Sequence, residues 1–121
     1  MLIIRKEQME AFARQAREQF IHDSIAHIRT VLPDEYAFLG DSRVRESVDL
    51  ALQRADGYGI TDTYDVLRYL NLMYSLGFDF DRDEQYDWAA GILTDKSLSS
   101  RTRMDLLVER ASVSSGVPNE R

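Results

Sequence analysis

The chain has no cysteine, no long apolar run and no excess of positive charge. The absence of cysteine excludes disulfide bonds and thiolate metal sites, and it is typical of a reducing compartment. No apolar run approaches the roughly 20 residues that a membrane-spanning helix needs. The opening, MLIIRKEQMEAF, has only three apolar residues after Met1 before charge begins, which is too short for the apolar region of a signal peptide. We therefore expect a cytoplasmic protein without a membrane partner.

Basic residues number 15 against 21 acidic ones, which gives a formal charge of −6. Nucleic-acid binding through a basic face is disfavoured, because neutralisation of phosphates dominates non-specific affinity. A composition of 44% hydrophobic and 30% charged residues is that of a globular protein, and 121 residues fit one domain with one sizeable core.

The common catalytic motifs are also missing. No GxSxG, P-loop, GxGxxG or HExxH pattern occurs, so hydrolytic, phosphate-binding and zinc chemistry lack their usual signatures. His22 and His27 lie about 140° apart around a helix and cannot share one zinc ion. We expect His22 at the surface and His27 near the edge of the core. The sequence predicts no enzyme, catalytic residue, cofactor or metal.

An acidic segment, Asp79-Phe80-Asp81-Arg82-Asp83, opens like a calcium loop. Such a loop needs glycine at its sixth position and a bidentate glutamate at its twelfth. Glu84 and Ala90 occupy these positions, so we expect an acidic loop whose carboxylates cap the next helix. The functional alternative is an acidic docking loop.

Helical spacing of apolar residues predicts an all-α protein, a single-domain bundle of about five helices with a long N-terminal helix. Residues 61–77, TDTYDVLRYLNLMYSLG, are apolar around most of a helix, so this is the expected central helix. Its polar residues form one narrow stripe: Asp65, Arg68, Asn71 and Ser75. Good N-cap residues precede it, and Gly77 suits its C-terminal end.

The other helices are predicted at 6–32, from Asp41 or Ser42 to Gly57, at 86–93, and from Ser99 or Ser100 to Ala111. Between the first two we expect a loop, DEYAFLG, whose Tyr36, Phe38 and Leu39 fold back on the core. Residues 1–111 form the expected helical domain, and 112–121 have the composition of a flexible tail.

Aromatic residues gather around the central helix, and core packing is the first interpretation. The alternative places some of them in a protein interface, where tyrosine, tryptophan and arginine are enriched. Those residues are Tyr58, Tyr64, Tyr69, Tyr74, Tyr86 and Trp88.

The first helix is longer than a domain of this size needs, and its apolar residues follow two lines. Phe12, Ala16 and Phe20 lie on one line, and the other contains Ala13, Ile21, Ile25 and Ile28. We expect one line to pack on the central helix while part of the other stays available, rimmed by Arg14, Arg17, Glu18 and Asp23. Alternatively, other helices bury both lines. The candidate protein-binding residues are Leu2, Ile3, Ile4, Phe12, Ala16, Arg17 and Phe20.

Three segments carry a family resemblance: YGITDTYDVLRYLNLMYSLGFDFD, WAAGILTD and RTRMDLLVERA. They resemble the small helical co-chaperones, co-TecT-like proteins, that bacteria encode beside type VI secretion effectors, PAAR proteins and effector-loading adaptors. The resemblance covers roughly 44–111, and its motifs are structural, so no binding residue is transferred from it.

The resemblance implies a non-enzymatic co-chaperone that assists loading of a type VI effector by binding its adaptor chaperone. The expected state is a hetero-complex with the adaptor, and the effector or a PAAR protein is a further partner. The alternative is an immunity protein that binds and neutralises a cognate toxin. An antitoxin or regulator is disfavoured, because no basic recognition helix is present.

Overall fold

The computed structural model describes residues 6–114, with the side chain of Ser114 left out. Within this range the chain forms five α-helices and no strand: α1 (Lys6–Val31), α2 (Pro33–Gly57), α3 (Thr63–Leu76), α4 (Asp87–Leu93) and α5 (Ser100–Ser114). Two short 3₁₀ segments, Phe80–Arg82 and Glu84–Tyr86, lie between α3 and α4. The prediction of an all-α protein with about five helices and a long N-terminal helix is confirmed.

The chain divides into two compact units, Met1–Asp49 and Leu50–Arg121, and the boundary falls inside α2. Each unit is described by itself. The expected division into a helical domain 1–111 and a tail 112–121 stays a prediction, although α5 extends three residues past Ala111. Residues 115–121, and the candidate residues Leu2, Ile3 and Ile4, lie outside the described range.

In the first unit, the expected loop DEYAFLG is wrong, because α2 begins at Pro33. Proline suits the first helical position, where its missing N–H is not needed, and Asp34 and Glu35 favour the first turn of a helix. The interruption falls later, at Gly40, whose φ of 85° and ψ of 161° are not helical. A positive φ of this kind is readily adopted only by glycine.

The expected fold-back of Phe38 is also wrong, since this side chain is 83% exposed, whereas Tyr36 and Leu39 are half-buried. The buried apolar residues of this unit come from the second half of α1 and from α2: Ile21, Ile25, Ile28, Val44 and Val48. Among the described residues, three ion pairs cross between the same helices, and the longest joins Arg29 to Asp41 at 3.8 Å. Arg17 donates to Asp49 at 2.9 Å, and Arg45 donates to both carboxylate oxygens of Glu18 at 2.9 Å.

In the second unit, α3 has the buried character that its sequence predicts. Its buried apolar residues are Val66, Tyr69, Leu70, Leu72, Met73 and Leu76, and it packs against α5 and the first 3₁₀ segment. The Asp62 carboxylate accepts a hydrogen bond from the backbone N–H of Tyr64 at 2.9 Å, which caps the helix as expected. At the other end Gly77 has a φ of 121° and donates its backbone N–H to the carbonyl of Met73.

The end of α4 is held by a side chain from α5. Arg103 is buried, and its Nη1 donates to the backbone carbonyls of Leu93 at 2.6 Å and Tyr58 at 2.8 Å. Carbonyls at a helix C-terminus lack partners within the helix, so an arginine is well suited to bind them. The predicted cap of α5 is confirmed, because the Ser99 hydroxyl accepts from the backbone N–H of Thr102.

Candidate protein-binding surface on the first helix

The first half of α1 carries the strongest candidate surface. Every residue from Lys6 to Gln19 is exposed, whereas the buried residues of the helix begin at Ile21. This exposed half includes Phe12 at 74% exposure and Met9 at 59%. Large apolar side chains at such exposure form an apolar surface that a binding partner can cover.

Apart from Ala11, the exposed apolar residues of this half lie on one side of the helix, together with the half-buried Phe20. At about 100° per residue, these five fall within an arc of about 100°. We call this set the α1 stripe: Met9, Phe12, Ala13, Ala16 and Phe20. The buried isoleucines Ile21, Ile25 and Ile28 are centred about 130° away around the helix, so the stripe and the buried face are distinct.

The predicted binding residues Phe12, Ala16 and Phe20 therefore share one side of α1. Phe12 and Ala16 are exposed and Phe20 is half-buried. Ala13, which was expected on the other line, is exposed and lies within the stripe. Arg17 borders the stripe, and its Nη2 donates a hydrogen bond to Asp49, which restricts its side chain.

The expected rim of the stripe is partly wrong. Arg14 and Glu18 lie on the far side of the helix, because each is well over 100° from the stripe's centre at about 100° per residue. One edge instead carries Lys6, Glu10 and Arg17, and the other carries Gln8, Gln15 and Gln19. The stripe thus has one charged edge and one neutral amide edge.

A second group lies in the second unit around Tyr64, which the sequence named as a possible interface aromatic without its arginine neighbours. Tyr64 is exposed, and the guanidinium groups of Arg68 and Arg101 lie 4.8 Å and 5.1 Å from its ring centre. Both arginines also bind Asp65, Arg68 at 2.8 Å and Arg101 at 3.0 Å. Arg68 makes a further ion pair with Asp105 at 2.8 Å.

Asp65 belongs to the narrow polar stripe of α3, and it is only 1% exposed. Burial alone would raise the pKa of this carboxyl. The hydrogen bonds from Arg68 and Arg101 outweigh burial and lower the pKa of Asp65 below its ordinary range. The group is therefore an ionised carboxylate that binds α3 to α5.

The acidic segment 79–83 contains a second buried carboxylate. The side chain of Asp81 is 1% exposed and accepts hydrogen bonds from Arg54 at 3.2 Å and from the Tyr58 hydroxyl at 2.8 Å. Arg54 also donates to the carbonyl of Phe78 at 2.7 Å and pairs with Asp79 at 2.7 Å. Asp81 is consequently unavailable for docking.

The capping role expected for this segment is wrong, because the N-cap of α4 is Tyr86 and no described side chain caps that helix. Asp83 instead caps the second 3₁₀ segment, where it accepts from the backbone N–H of Gln85. Burial, together with the hydrogen bond to Asp81, raises the pKa of Tyr58 to about 12. Burial and the same carboxylate also raise the pKa of Tyr69. Both tyrosines are therefore neutral under ordinary conditions. The Tyr58 hydroxyl donates to Asp81, whereas the buried Tyr69 hydroxyl has no hydrogen-bond partner among the described residues.

A groove of about 400 Å³ lies beside this cluster, lined by Leu50, Gln53, Arg54, Gly57, Tyr58, Asp81 and Arg82. The polar groups at its base bind one another, since Arg54 already has three oxygen partners. Across residues 6–114, no group of three histidine, aspartate or glutamate side chains is placed to hold a metal ion.

The histidines lie where their spacing predicts, with His22 exposed and His27 half-buried. Among the described helices, none has the length and apolar character required to cross a bilayer.

Comparison with protein-family models, curated proteins and solved structures gives no match for this chain.

Proposed function

We propose that the chain is a non-enzymatic co-chaperone that binds the adaptor chaperone of a type VI secretion effector and assists effector loading. The proposal combines the resemblance of residues 44–111 with the α1 stripe. The observation that carries it is the exposure of Lys6–Gln19, with Phe12 at 74%. The complex forms in the cytoplasm, and the effector or its PAAR protein joins through the adaptor.

An amphipathic helix commonly binds a partner by placing its apolar side in a groove, with anchors three, four and seven residues apart. Met9, Phe12, Ala13 and Ala16 have these spacings. An exposed aromatic side chain is a typical binding hot spot once it is covered, and small neighbours allow close approach. The stripe therefore suits an apolar groove on the adaptor.

Co-purification of the full chain with the adaptor tests this function. Phe12→Ser should weaken adaptor binding at least about tenfold, because it removes the largest exposed anchor of the stripe. Phe38→Ser is the matched control, since Phe38 is at least as exposed and lies on α2. Equal binding by both variants would place the interface elsewhere. A deletion of residues 1–4 tests the predicted contribution of Leu2, Ile3 and Ile4.

The immunity alternative gives a different result in the same experiment. An immunity protein co-purifies with the toxin and rescues cells that express the toxin alone. A co-chaperone co-purifies with the adaptor, gives no rescue, and is required for effector delivery. Rescue without adaptor binding would overturn the proposed function.

A further inference from the structure

Four residues of the α1 stripe, extended by Lys6 and Asp23, also follow a seven-residue repeat. Lys6, Met9, Ala13, Ala16, Phe20 and Asp23 are separated by alternating steps of three and four residues. This spacing is that of the a and d positions through which two helices pack in a coiled coil. All of these residues except the half-buried Phe20 are exposed.

The repeat is self-complementary in an antiparallel arrangement. If two copies of α1 are related by a two-fold axis between Arg14 and Gln15, Met9 faces Phe20 of the second copy. Ala13 then faces Ala16 of the second copy, and each contact occurs twice, as in any two-fold interface. Two alanine layers at the centre allow the helices to approach closely, and the larger side chains cover both ends.

The charges at the edge of the stripe fit the same register. Glu10 and Arg17 occupy e positions, and e positions of antiparallel helices face each other. Glu10 of each copy therefore lies beside Arg17 of the other, which gives two symmetric ion pairs. At the ends of the repeat Lys6 faces Asp23 of the second copy, again with opposite charge.

A parallel arrangement lacks this complementarity. It places Lys6 opposite Lys6 and Asp23 opposite Asp23 at packed positions, where like charges repel. The neutral edge is compatible with the antiparallel register, since Phe12 then lies beside Gln19 of the second copy. Arg17 remains available for a second carboxylate, because its side chain is 44% exposed and only its Nη2 is bound to Asp49.

We propose that two copies of this chain associate through antiparallel pairing of their α1 stripes. The paired segment, 6–23, is about 27 Å long at 1.5 Å per residue. One helix pair of this length is smaller than the roughly 1,200–2,000 Å² interface of stable complexes, so the dimer exchanges readily with monomer. The dimer and the proposed adaptor complex use the same stripe and exclude each other.

The test is analytical ultracentrifugation of the full chain over a concentration series, without any partner. We expect a reversible species of twice the 14.0 kDa chain mass that increases with concentration. Arg17→Glu and Glu10→Arg should each raise the dissociation constant at least about tenfold, because like charges then face each other. An equimolar mixture of the two variants should recover dimer as a heterodimer, since each variant supplies the charge that the other needs.

The mixture also controls for folding, because both variants keep any local defect when they are mixed. Phe38→Ser should associate like the unmodified chain. A monomer at all concentrations up to hundreds of micromolar would overturn the proposal, as would unchanged dimerisation of both single variants or no recovery in the mixture. This experiment contains no adaptor. A chain that stays monomeric would therefore overturn only the dimer, and the co-purification experiment tests adaptor binding separately.

Discussion

Two buried aspartates, Asp65 and Asp81, determine how the second unit is held together at the scale of single residues. Asp65 accepts hydrogen bonds from Arg68 on its own helix and from Arg101 on α5. Asp81 accepts them from Arg54 and Tyr58 at the end of α2. A buried charge is stable only when it is paired and hydrogen-bonded, and removing one partner leaves the others uncompensated. These carboxylates therefore make the local packing specific to one arrangement.

Replacing Asp65 by alanine should lower the free energy of unfolding by about 1–3 kcal/mol, because Arg68 loses its inner partner and a buried polar contact is left unmade. Urea denaturation of both proteins measures the difference. Asp105→Ala is the control, since Asp105 is an exposed partner of the same arginine, and its loss should cost under about 1 kcal/mol. Equal effects would show that burial of Asp65 contributes little.

The lowered pKa of Asp65 also predicts that the stability of the fold depends on pH in the acidic range. This pKa is lower in the folded chain than the ordinary value of 3.8. The stabilisation that this shift provides is thus complete above the unfolded pKa and is lost as the pH falls through the folded pKa. Asp65→Asn should be less stable than the unmodified chain near neutral pH, and the difference should shrink below 3.8. A difference that is constant from neutral to strongly acidic pH would contradict this assignment.

At the scale of the element, α3 is the part of the second unit that is most deeply buried. Leu70 is 0% exposed and lies among Val66, Tyr69 and Met73, which are also buried. Such a helix gains its stability from packing more than from its intrinsic helix propensity.

Leu70→Ala should cost about 2–5 kcal/mol, from lost burial and from the cavity that the smaller side chain leaves. A thermal or urea melt measures this loss. Leu106→Ala removes the same atoms from an exposed position of α5 and should cost under about 1 kcal/mol. A stable Leu70→Ala variant would mean that α3 is not central to the packing of this unit.

The helices differ in how well the sequence predicts them. The limits of α3 follow from local signals, since Asp62 and Gly77 act at its ends whatever surrounds them. The start of α2 was missed because Pro33 was interpreted as ending one helix, although proline is equally compatible with beginning the next. The sequence did indicate an interruption at Gly40, since the predicted loop ended there and the next helix was expected from Asp41 or Ser42.

The candidate sites also differ in how well the sequence predicts them. Helical periodicity separates Phe12, Ala16 and Phe20 from the buried isoleucines of α1, and the structure places them as two distinct sides. The burial of Asp65 and Asp81 could not be predicted, because their partners Arg101 and Arg54 lie 36 and 27 residues away. Sequence spacing contains no information on which distant arginine reaches a given carboxylate.

At the scale of the whole molecule, the chain combines an acidic charge of −6 with an apolar stripe whose flanking charges nearly balance. Residues 6–23 contain three basic and four acidic side chains. The segment that carries the stripe is therefore nearly neutral. Electrostatic repulsion from an acidic adaptor or from a second copy is weak at this surface. At a fixed adaptor concentration, lowering the concentration of this chain favours the adaptor complex, because the dimer depends on the square of that concentration and the adaptor complex on its first power.

The exposed half of α1 also sets a thermodynamic condition on any binding. A free helix of about 12–15 residues is marginal in water, and helix formation is limited by nucleation. The buried turns at Ile21–Ile28 supply a nucleus, and the ion pairs of Arg17 and Glu18 with α2 add support one turn further. From there the helix propagates toward Lys6 through exposed residues. The segment that carries the α1 stripe therefore has a helix–coil equilibrium. Warming should unfold it from its N-terminal end, and a bound partner should stabilise its helical form.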